Sequence, residues 1–542
     1  MFGPVLNRCT RCFGFQRTGP SRVTTEGQGS VTVMSMSRST RQAAFARFVN
    51  RFAAPCAALV FAACMPKAPS DPAGTVLPGP FPSEIVREGT ESQLAIDFEE
   101  YDLENGLHVI LSPDASVPFV WVNVWYRVGS KDEQEGLTGF AHLFEHMMFQ
   151  GSEHADGDFF GPLQAVGARI NGTTNFDRTN YFEGVPSEHL PLALFLESDR
   201  MGWLLPAMTP ERLANQQKVV RNERRQRYDN RPYGKVRLWL NESLYAEGHP
   251  YRVPTIGKHE DIENARMEDV QDFFKKWYVP NNASLAIVGD FEPAEAKALV
   301  EKYFGHIPKG PQPIPVTHAP ATLLDPVSVH YASKVPHHKV WLAWHSPKLY
   351  APGDADLDIV SGLLSEGRDS LLYQRLVKEK GLAKDVAAYQ SSSFLTSSYI
   401  ITATAAKGHT TDEIVAEIDA VLQEFLSAPP SVEAVEDTKA QWEVRAYGGL
   451  QTISSKADKL NSYHVLTGNT GYLATDVSRY LAVTPDSVHQ AAKMYLDVAG
   501  RVTLHVHPLG EAPEGAIVDA PAGPKGGERC LLCSLPSCLV CS

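Results

Sequence analysis

Two histidines and a glutamate lie within five residues of one another in the segment HLFEH, at positions 142, 145 and 146. On an α-helix, residues four apart are separated by about 40° around the axis, so His142 and His146 can bind one ion. Glu145 then lies on the neighbouring strip. Paired neutral imidazoles suit zinc, which at a catalytic site takes three protein ligands and leaves a fourth position for water. Glu145 is placed to accept a proton from that water as it attacks a carbonyl group.

The neighbouring side chains favour a metal site over two unrelated histidines. A buried helix has little reason to carry three ionisable groups unless they are paired or bind metal. The apolar neighbours that predict burial are Phe140, Leu143, Phe144, Met147 and Phe149.

The cysteines limit the other chemistry that is available. All eight lie at the two ends of the chain, and residues 65–529 contain none. The body therefore has no disulfide, no thiolate metal site and no cysteine nucleophile, and a chain of 542 residues can bury enough apolar surface without such links. Catalysis must use imidazole, carboxylate or hydroxyl groups.

Composition and charge are those of a globular protein that does not bind nucleic acid. Apolar residues make up 43% of the chain and charged residues 21%. Residues 1–63 hold eight arginines and one glutamate, so the remainder carries 42 basic and 62 acidic side chains, a charge of -20. Such an acidic body cannot neutralise phosphates over a large surface.

The elements that must position the histidines occur twice. A proline-rich segment, residues 308–320, divides the body into two stretches of similar length. Each stretch is predicted to open with an alternating strand, at 121–126 and 340–344, followed by a helix. Each also closes with a helix, a turn and an alternating strand, at 270–290 and 488–508. The repeated order predicts a duplicated α+β domain.

The HLFEH segment is the inverted zincin motif, and the chain resembles the pitrilysin family of zinc peptidases, most of all its two-chain bacterial members. That family also includes insulin-degrading enzyme and the mitochondrial processing peptidase. The resemblance covers about residues 95–510 and is stronger in the first half. Other matching segments are ARINGTT at 168–174 with Thr179 and Tyr181, DNRPY at 229–233, HPY at 249–251 leading to Gly257, PNN at 280–282, and Gly289 with Asp290.

The resemblance implies a fold and a mechanism. The fold is α+β, with two duplicated domains that are each a mainly antiparallel sheet flanked by helices, together forming a clam-shell half. The third zinc ligand is Glu223, 77 residues after His146 on a second helix with Thr209 as its N-cap and Pro210 as its first residue. One zinc ion per chain polarises the scissile carbonyl and activates water, and Glu145 serves as general base and then acid.

The resemblance also implies how the substrate is held. A peptide enters extended and pairs with an edge strand, which we place at Asn171, Gly172, Thr173 and Thr174. Gln216 stands near the zinc, where many relatives have a glutamate, and this difference affects the tuning of the ligands more than zinc binding itself.

The second half departs from the family at two positions. An Arg and a Tyr, seven residues apart, hold the substrate in relatives, but the aligned residues here are Val377 and Lys384. We therefore expect the chain to be the zinc-bearing subunit of a heterodimer whose partner supplies the Arg/Tyr pair. A homodimer is the runner-up, and local replacement by Arg368, Tyr373 or Arg375 is disfavoured by spacing. A non-catalytic peptide-binding or assembly subunit is the alternative from another class.

The N-terminal segment is predicted to be an export signal. Four arginines precede a twelve-residue apolar stretch, Phe52 to Ala63, and FAAC at 61–64 resembles a bacterial lipobox. Cys64 would then be lipidated, which anchors the protein in the cell envelope facing the periplasm. The real start would be Met34 or Met36. A mitochondrial presequence, with a matrix location, is the alternative.

These features predict six segments along the chain. They are a signal segment at 1–63, a proline-rich tether at 64–94, a zinc-bearing domain at 95–308, a linker at 309–321, a metal-free peptidase-like domain at 322–510, and a tail at 511–542. The tail has paired Cys-x-x-Cys spacings at 530–533 and 538–541, but its short intervening segment favours an appendage over a zinc ribbon. Three further histidines, His154, His189 and His249, are expected to face solvent.

Overall fold

The computed structural model describes residues 94–318, 321, 323 and 325–519. Cys64, the signal segment and the cysteine-containing part of the tail lie outside the described residues. The described residues form two six-stranded mixed sheets, each with helices packed against it. Among them, no helix combines the length and apolar character needed to cross a bilayer.

The first half is built around a sheet with the strand order β1-β2-β6-β3-β5-β4. Strands β2 and β6 run parallel, and the other neighbours are antiparallel. The elements are β1 (Glu99–Asp102), β2 (His108–Pro113), β3 (Phe119–Tyr126), α1 (Phe140–Met147), α2 (Phe160–Ala165), β4 (Arg169–Thr174), β5 (Thr179–Pro186), α3 (Leu190–Ala207), α4 (Pro210–Arg224), α5 (Val236–Leu244), α6 (His259–Asn264), α7 (Met267–Trp277), β6 (Ala283–Gly289) and α8 (Pro293–Phe304).

The second half repeats this arrangement with the order β12-β7-β11-β8-β10-β9, in which the parallel strands β7 and β11 match β2 and β6. The edge strand differs, because β12 runs parallel to β7 whereas β1 runs antiparallel to β2. The duplicated α+β fold predicted from the sequence is confirmed. The elements are β7 (Val327–Ser333), β8 (Lys339–Ser346), α9 (Asp354–Ser365), β9 (Ala383–Ser391), β10 (Ser397–Ala405), α10 (Thr411–Phe425), α11 (Val432–Gly448), α12 (Ile453–Thr467), α13 (Leu473–Leu481), α14 (Pro485–Tyr495), β11 (Arg501–Pro508) and β12 (Ile517–Val518).

The two ends of each half differ from the sequence expectation. The alternating strands at 121–126 and 340–344 belong to β3 and β8, but they do not open their halves, because β1 and β2 precede β3, and β7 precedes β8. Strand β12 pairs with β7 beyond residue 510, where we had placed the end of the second domain. Asp519 then fixes this end, since its carboxylate accepts hydrogen bonds from Lys235 and Ser333.

Local sequence explains where the closing elements of each half begin. Helix α14 starts at Pro485 behind Thr484, whose side chain accepts a hydrogen bond from the Ser487 N–H. In the first half, β6 is buried along its whole length, as expected for a central strand covered on both faces.

Each sheet is covered on one face by a helix from the other half. Helix α12 lies on β3 and β6 of the first sheet, where the Asn461 amide donates to the Asn123 carbonyl and accepts from the Ser284 hydroxyl, both at 2.7 Å. Lys456 reaches Asp114 at 2.6 Å. Helix α5 lies reciprocally on β8 and β11 of the second sheet. The apolar residues of that contact include Val236, Leu240, Leu244, Ala343, Val502 and Leu504.

Candidate metal centre and active site

Helix α1 carries both histidines on one side. The ring centroids of His142 and His146 are 4.8 Å apart and the rings are nearly perpendicular. His142 is buried, and His146 is half-buried towards solvent. Phe140, Leu143 and Phe144 on the same helix are buried in the core of the first half. The apolar side chains therefore anchor the helix while the imidazoles face a partly open space.

Glu223, near the C-terminal end of α4, completes a set of three metal donors. Its Oε2 atom lies 3.2 Å from His146 Nε2 and 3.6 Å from His142 Nε2. Ligands on a tetrahedral zinc ion, with bonds of roughly 2.0 Å, are about 3.3 Å apart, so the three atoms fit one ion. The predicted start of α4 is confirmed, since Thr209 caps the helix by accepting from the Arg212 N–H and Pro210 is its first residue.

The charge state of these groups suits metal binding. Burial, followed by the neighbouring His146, lowers the pKa of His142 to about 4, so its lone pair is free at neutral pH. Burial alone would raise the pKa of Glu223, but the hydrogen bond from His146 and the charges of nearby cationic groups lower it overall. Arg227 is one of those groups, with its guanidinium 2.7 Å from Glu223 Oε1. The carboxylate therefore presents one oxygen to Arg227 and the other to the imidazoles.

Glu145 lies beside this set on α1, and its carboxylate reaches β4. Its Oε2 accepts a hydrogen bond of 2.6 Å from the Thr174 hydroxyl. Burial raises the pKa of Glu145, an effect that the bond from Thr174 opposes. A raised pKa makes a carboxylate a stronger base, which suits Glu145 to taking a proton from water and returning it later.

Two contacts at the start of α1 hold the helix in place. The Glu133 carboxylate accepts from the backbone N–H groups of Gly139 and Ala141, at 2.9 and 2.8 Å, and so takes the part of a cap that Gly139 has no side chain to supply. Gly257 lies directly against Gly139, where a Cβ on Gly257 would fall 2.3 Å from the Gly139 Cα. Arg224, next to Glu223, donates to the Gly257 carbonyl. The Gly257 loop thus links the two helices that carry the donors.

Strand β4, the predicted substrate strand, lies at the edge of the first sheet and pairs only with β5. Asn171 is exposed, whereas Gly172 is buried against α1, with its missing Cβ 3.2 Å from Glu145 Cγ. The Thr173 hydroxyl and carbonyl both accept from Arg178. The edge strand therefore runs directly beside the carboxylate that would serve as base.

The other predicted positions lie on α4 and in the second half. Gln216 is buried on α4, two turns before Glu223. Val377 is partly buried in a short π-helical segment, Tyr373–Glu379, and Lys384 on β9 contacts His337 at 2.8 Å. Arg375 is engaged by three carboxylates, those of Glu379, Glu417 and Glu424.

Sequence reasoning missed several positions and misjudged one. Glu133, Arg227 and the bond from Thr174 to Glu145 were not foreseen. Only Arg227 had a local signal, its place one turn after Glu223 and just past the end of α4. His249 is buried, at 5% exposure, and not solvent-facing as expected. Its Nδ1 accepts from the Tyr251 N–H, and its ring stacks on Tyr245.

Known proteins resemble both halves. Residues 108–252 match the family described as Insulinase (Peptidase family M16), and residues 264–442 match the domain described as Peptidase M16 inactive domain. The chain is 27% identical over 416 residues to zinc protease PqqE of Helicobacter pylori, which covers 76% of this chain and 93% of the relative.

Solved structures agree with this assignment. A protease from Helicobacter pylori matches with a TM-score of 0.71 and 25% identity, over 77% of this chain and 100% of that chain. The periplasmic protease PqqL from Escherichia coli has a TM-score of 0.65 at 16% identity, over 76% of this chain and 48% of that chain, and this likeness concerns the fold alone. The chain carries the inverted zincin motif, both halves match M16 domains, and its relatives are named zinc proteases. It therefore belongs to the pitrilysin (M16) family of zinc peptidases.

Proposed function

We propose that the chain is a zinc-dependent endopeptidase that hydrolyses extended peptides or unfolded segments. The observation that carries the proposal is the position of Glu145, between the two histidine donors on α1 and hydrogen-bonded to the edge strand β4 through Thr174. A peptide paired with β4 would present its scissile carbonyl next to the ion, and Glu145 lies beside both.

The roles of the side chains follow from this arrangement. His142, His146 and Glu223 would hold one zinc ion, which when bound supplies Lewis acidity towards a carbonyl oxygen and water. Glu145 takes the proton of the attacking water and passes it to the departing amine. Thr174 orients the Glu145 carboxylate, and Arg227 holds the Glu223 oxygen that faces away from the imidazoles.

The edge strand supports a substrate that is extended. Strand β4 has β5 on one side only, so its outer N–H and C=O groups are available for main-chain pairing. Main-chain pairing makes no demand on side-chain sequence but requires a segment without secondary structure. We place Asn171, Gly172, Thr173 and Thr174 in contact with the substrate backbone.

We further propose that the chain acts with a second, pitrilysin-like chain that supplies an Arg and a Tyr. Val377 and Lys384 occupy the places of that pair, and Arg375 is already held by three carboxylates. The match to PqqL accounts for under half of that chain, which leaves room there for a second unit of this size.

The activity test uses a fluorogenic unstructured peptide, with the zinc-loaded chain alone and with a candidate partner. We expect strong hydrolysis only with both chains present, loss on chelation, and a loss of at least about 100-fold in Glu145→Gln with zinc retained. Glu188→Gln, an exposed carboxyl on the same half, is the control. Full activity of the chain alone would contradict the two-chain proposal.

A non-catalytic peptide-binding or assembly subunit is the second candidate. The match to an inactive M16 domain favours it, but that match covers residues 264–442, whereas the three donors and Glu145 lie within the 108–252 match. Stoichiometric zinc without hydrolysis, even with the partner present, would support this candidate and exclude the peptidase.

For location, we propose anchoring in the bacterial cell envelope through a lipid on Cys64, facing the periplasm. The apolar stretch that ends in FAAC and the periplasmic location named for PqqL support it. Labelling with a fatty-acid analogue should mark the wild-type protein and not Cys64→Ser. Unlabelled protein in the mitochondrial matrix, with the leader cut elsewhere, would overturn the assignment.

A further inference from the structure

Four histidines cluster on the second sheet, far along the chain from the HLFEH motif. His505 and His507 lie on one face of β11, opposite the face on which Val502 and Leu504 contact α5. His330 is the direct neighbour of His505 on the parallel strand β7, and their rings stack with centroids 4.1 Å apart. His338 precedes β8 and contacts His507. Both β11 histidines are buried.

The first half provides an internal comparison for this cluster. Aligning the two helix-turn-strand segments, with 218 residues between equivalent positions, places Ile287 on β6 where His505 stands on β11. Ile287 pairs with Leu111 on β2, as His505 pairs with His330 on β7. Leu111 and Ile287 are both fully buried. Packing at this place in the fold is therefore satisfied by two aliphatic side chains and does not call for imidazoles.

An acidic side chain meets the histidines at the start of α10. Asp412 is the second residue of that helix, and its Oδ1 lies 3.6 Å from His505 Nδ1. One ligand atom from each of His330, Asp412 and His505 lies within 4.8 Å of the other two. The Asp412 side chain is 76% exposed, and the Thr411 hydroxyl lies 2.8 Å from the same His505 Nδ1, a contact that an ion would replace.

His507 and His338 form a series of hydrogen bonds that orients the His330 ring. His330 Nδ1 lies 3.0 Å from His507 Nε2, and His507 Nδ1 lies 2.9 Å from His338 Nδ1. His338 Nε2 ends the chain 3.1 Å from the Glu511 carboxylate. A carboxylate behind a series of imidazoles fixes the tautomer of a ligating ring and raises its basicity, as in known metal sites.

We propose that His330, His505 and Asp412 bind a second divalent transition-metal ion, of the zinc, nickel or copper class that imidazole favours. The ion links β7 and β11 to the first turn of α10. The hydrogen-bonded side chains of His507, His338 and Glu511 hold the His330 ring in place. The site is separate from the candidate active site and does not depend on the proposed peptidase activity. The half expected from its sequence to be metal-free would then carry an ion of its own.

Metal content tests the proposal on the full chain. After chelation and reloading with zinc, we expect two ions per chain in the wild type, one in His146→Ala and one in the double variant His330→Leu with His505→Ile. That double variant restores the residue pair of the first half. All three changes together should leave none. Binding of a single ion by the wild type, or an unchanged zinc content in the double variant, would overturn the proposal.

A milder variant protects the test against loss of folding. Asp412→Asn changes an exposed residue, and in the His146→Ala background it should weaken zinc binding by about tenfold or more. Asp486→Asn is the matched control, because Asp486 is also exposed and is the second residue of its helix, α14. Equal zinc affinity in the two aspartate variants would exclude Asp412 as a ligand. Cobalt absorption, measured in the same background, should change with Asp412→Asn and not with Asp486→Asn.

Discussion

At the residue scale, Gly172 sets how closely β4 approaches α1, the helix that carries Glu145. A Cβ at this position would lie 3.1 Å from the rings of Phe149 and Tyr181 and 3.2 Å from Glu145 Cγ. These contacts are tighter than ordinary van der Waals contact, so either the strand or Glu145 would have to move. The glycine therefore belongs to the geometry of the site as much as to the strand.

We expect Gly172→Ala to lower kcat by about tenfold or more, because a displacement of a few tenths of an ångström at Glu145 misplaces the base. Zinc content should remain unchanged, since none of the three donors is touched. The control is Gly448→Ala, where an added Cβ meets nothing within 4 Å. Unchanged peptide hydrolysis in Gly172→Ala would show that the approach of β4 does not position Glu145.

A buried carboxyl on β5 predicts how stability depends on pH. Glu183 is fully buried, and burial together with the charge of Glu197 raises its pKa well above the ordinary value of 4.5. The folded protein keeps this proton at pH values where the unfolded chain has lost it. The stabilisation of the folded state by this proton is therefore fully present below pH 4.5, and it is lost as pH rises towards the folded-state pKa of Glu183.

Glu183→Gln should flatten that dependence, because the amide has no proton to lose. Between pH 5 and 8, the wild type should lose up to about 1.4 kcal/mol per pH unit relative to the variant, the amount for one proton. Denaturant unfolding at several pH values measures the difference. The control Glu188→Gln, at an exposed carboxyl, should show the same pH dependence of the unfolding free energy as the wild type. If Glu183→Gln also showed that dependence, Glu183 would not be the group that causes it.

The residues that sequence could predict are those with a local signal. HLFEH shows its chemistry because a helix brings residues four apart onto one face. Thr174 and Glu145 are 29 residues apart, and their contact depends on the position of β4 relative to α1, which no local pattern encodes. The His330 and His505 pair escaped notice for the same reason, because 175 residues separate its members.

At the element scale, the start of α1 depends on a carboxylate from outside the helix. Glu133 accepts hydrogen bonds from two of the first N–H groups, which have no partner within the helix. Without it, those groups would lose their partners at the end of the helix that carries His142.

We expect Glu133→Gln to reduce the free energy of unfolding by about 1 kcal/mol, the usual value of a cap, and to weaken zinc binding. Equilibrium unfolding and competitive zinc titration measure the two effects. Glu135→Gln, two residues away and exposed, is the control. Equal stability of the two variants would show that Glu133 contributes no cap.

Element prediction succeeded where periodicity was strong and failed where pairing decided the structure. The closing helix and strand of each half were readable because a 3.6-residue period gives way to alternation after a clear turn. Seven strands were not predicted, namely β1, β2, β5, β7, β9, β10 and β12. The amphipathic patterns of α5 and α12 also do not tell which sheet they will cover, because either sheet offers a similar apolar face.

At the scale of the whole molecule, the exchange of α5 and α12 makes each half complete the core of the other. Asn461 is central to one side of this exchange, since it is fully buried and bonds to both Asn123 and Ser284. We therefore expect the described body to unfold in a single thermal transition and not in two.

Asn461→Ala should destabilise the whole body by about 1–3 kcal/mol, because it removes two buried hydrogen bonds, one to the Asn123 carbonyl and one from the Ser284 hydroxyl. Scanning calorimetry should show one transition at a lower temperature. Asn264→Ala, at the exposed end of α6, is the control and should leave the transition temperature unchanged. Two separate transitions, of which only one moved, would show that the halves unfold independently.

The exchanged helices also decide what the linker does. Ile314, within the predicted linker 309–321, is 83% exposed and open to a protease. A chain nicked there should run as two bands on a denaturing gel and still elute as one particle that retains its zinc. Elution of two separate fragments would contradict this. The peptide connection would then serve to bring the halves together during synthesis, and the finished protein would behave as a complex of two interlocked subunits that happen to share one gene.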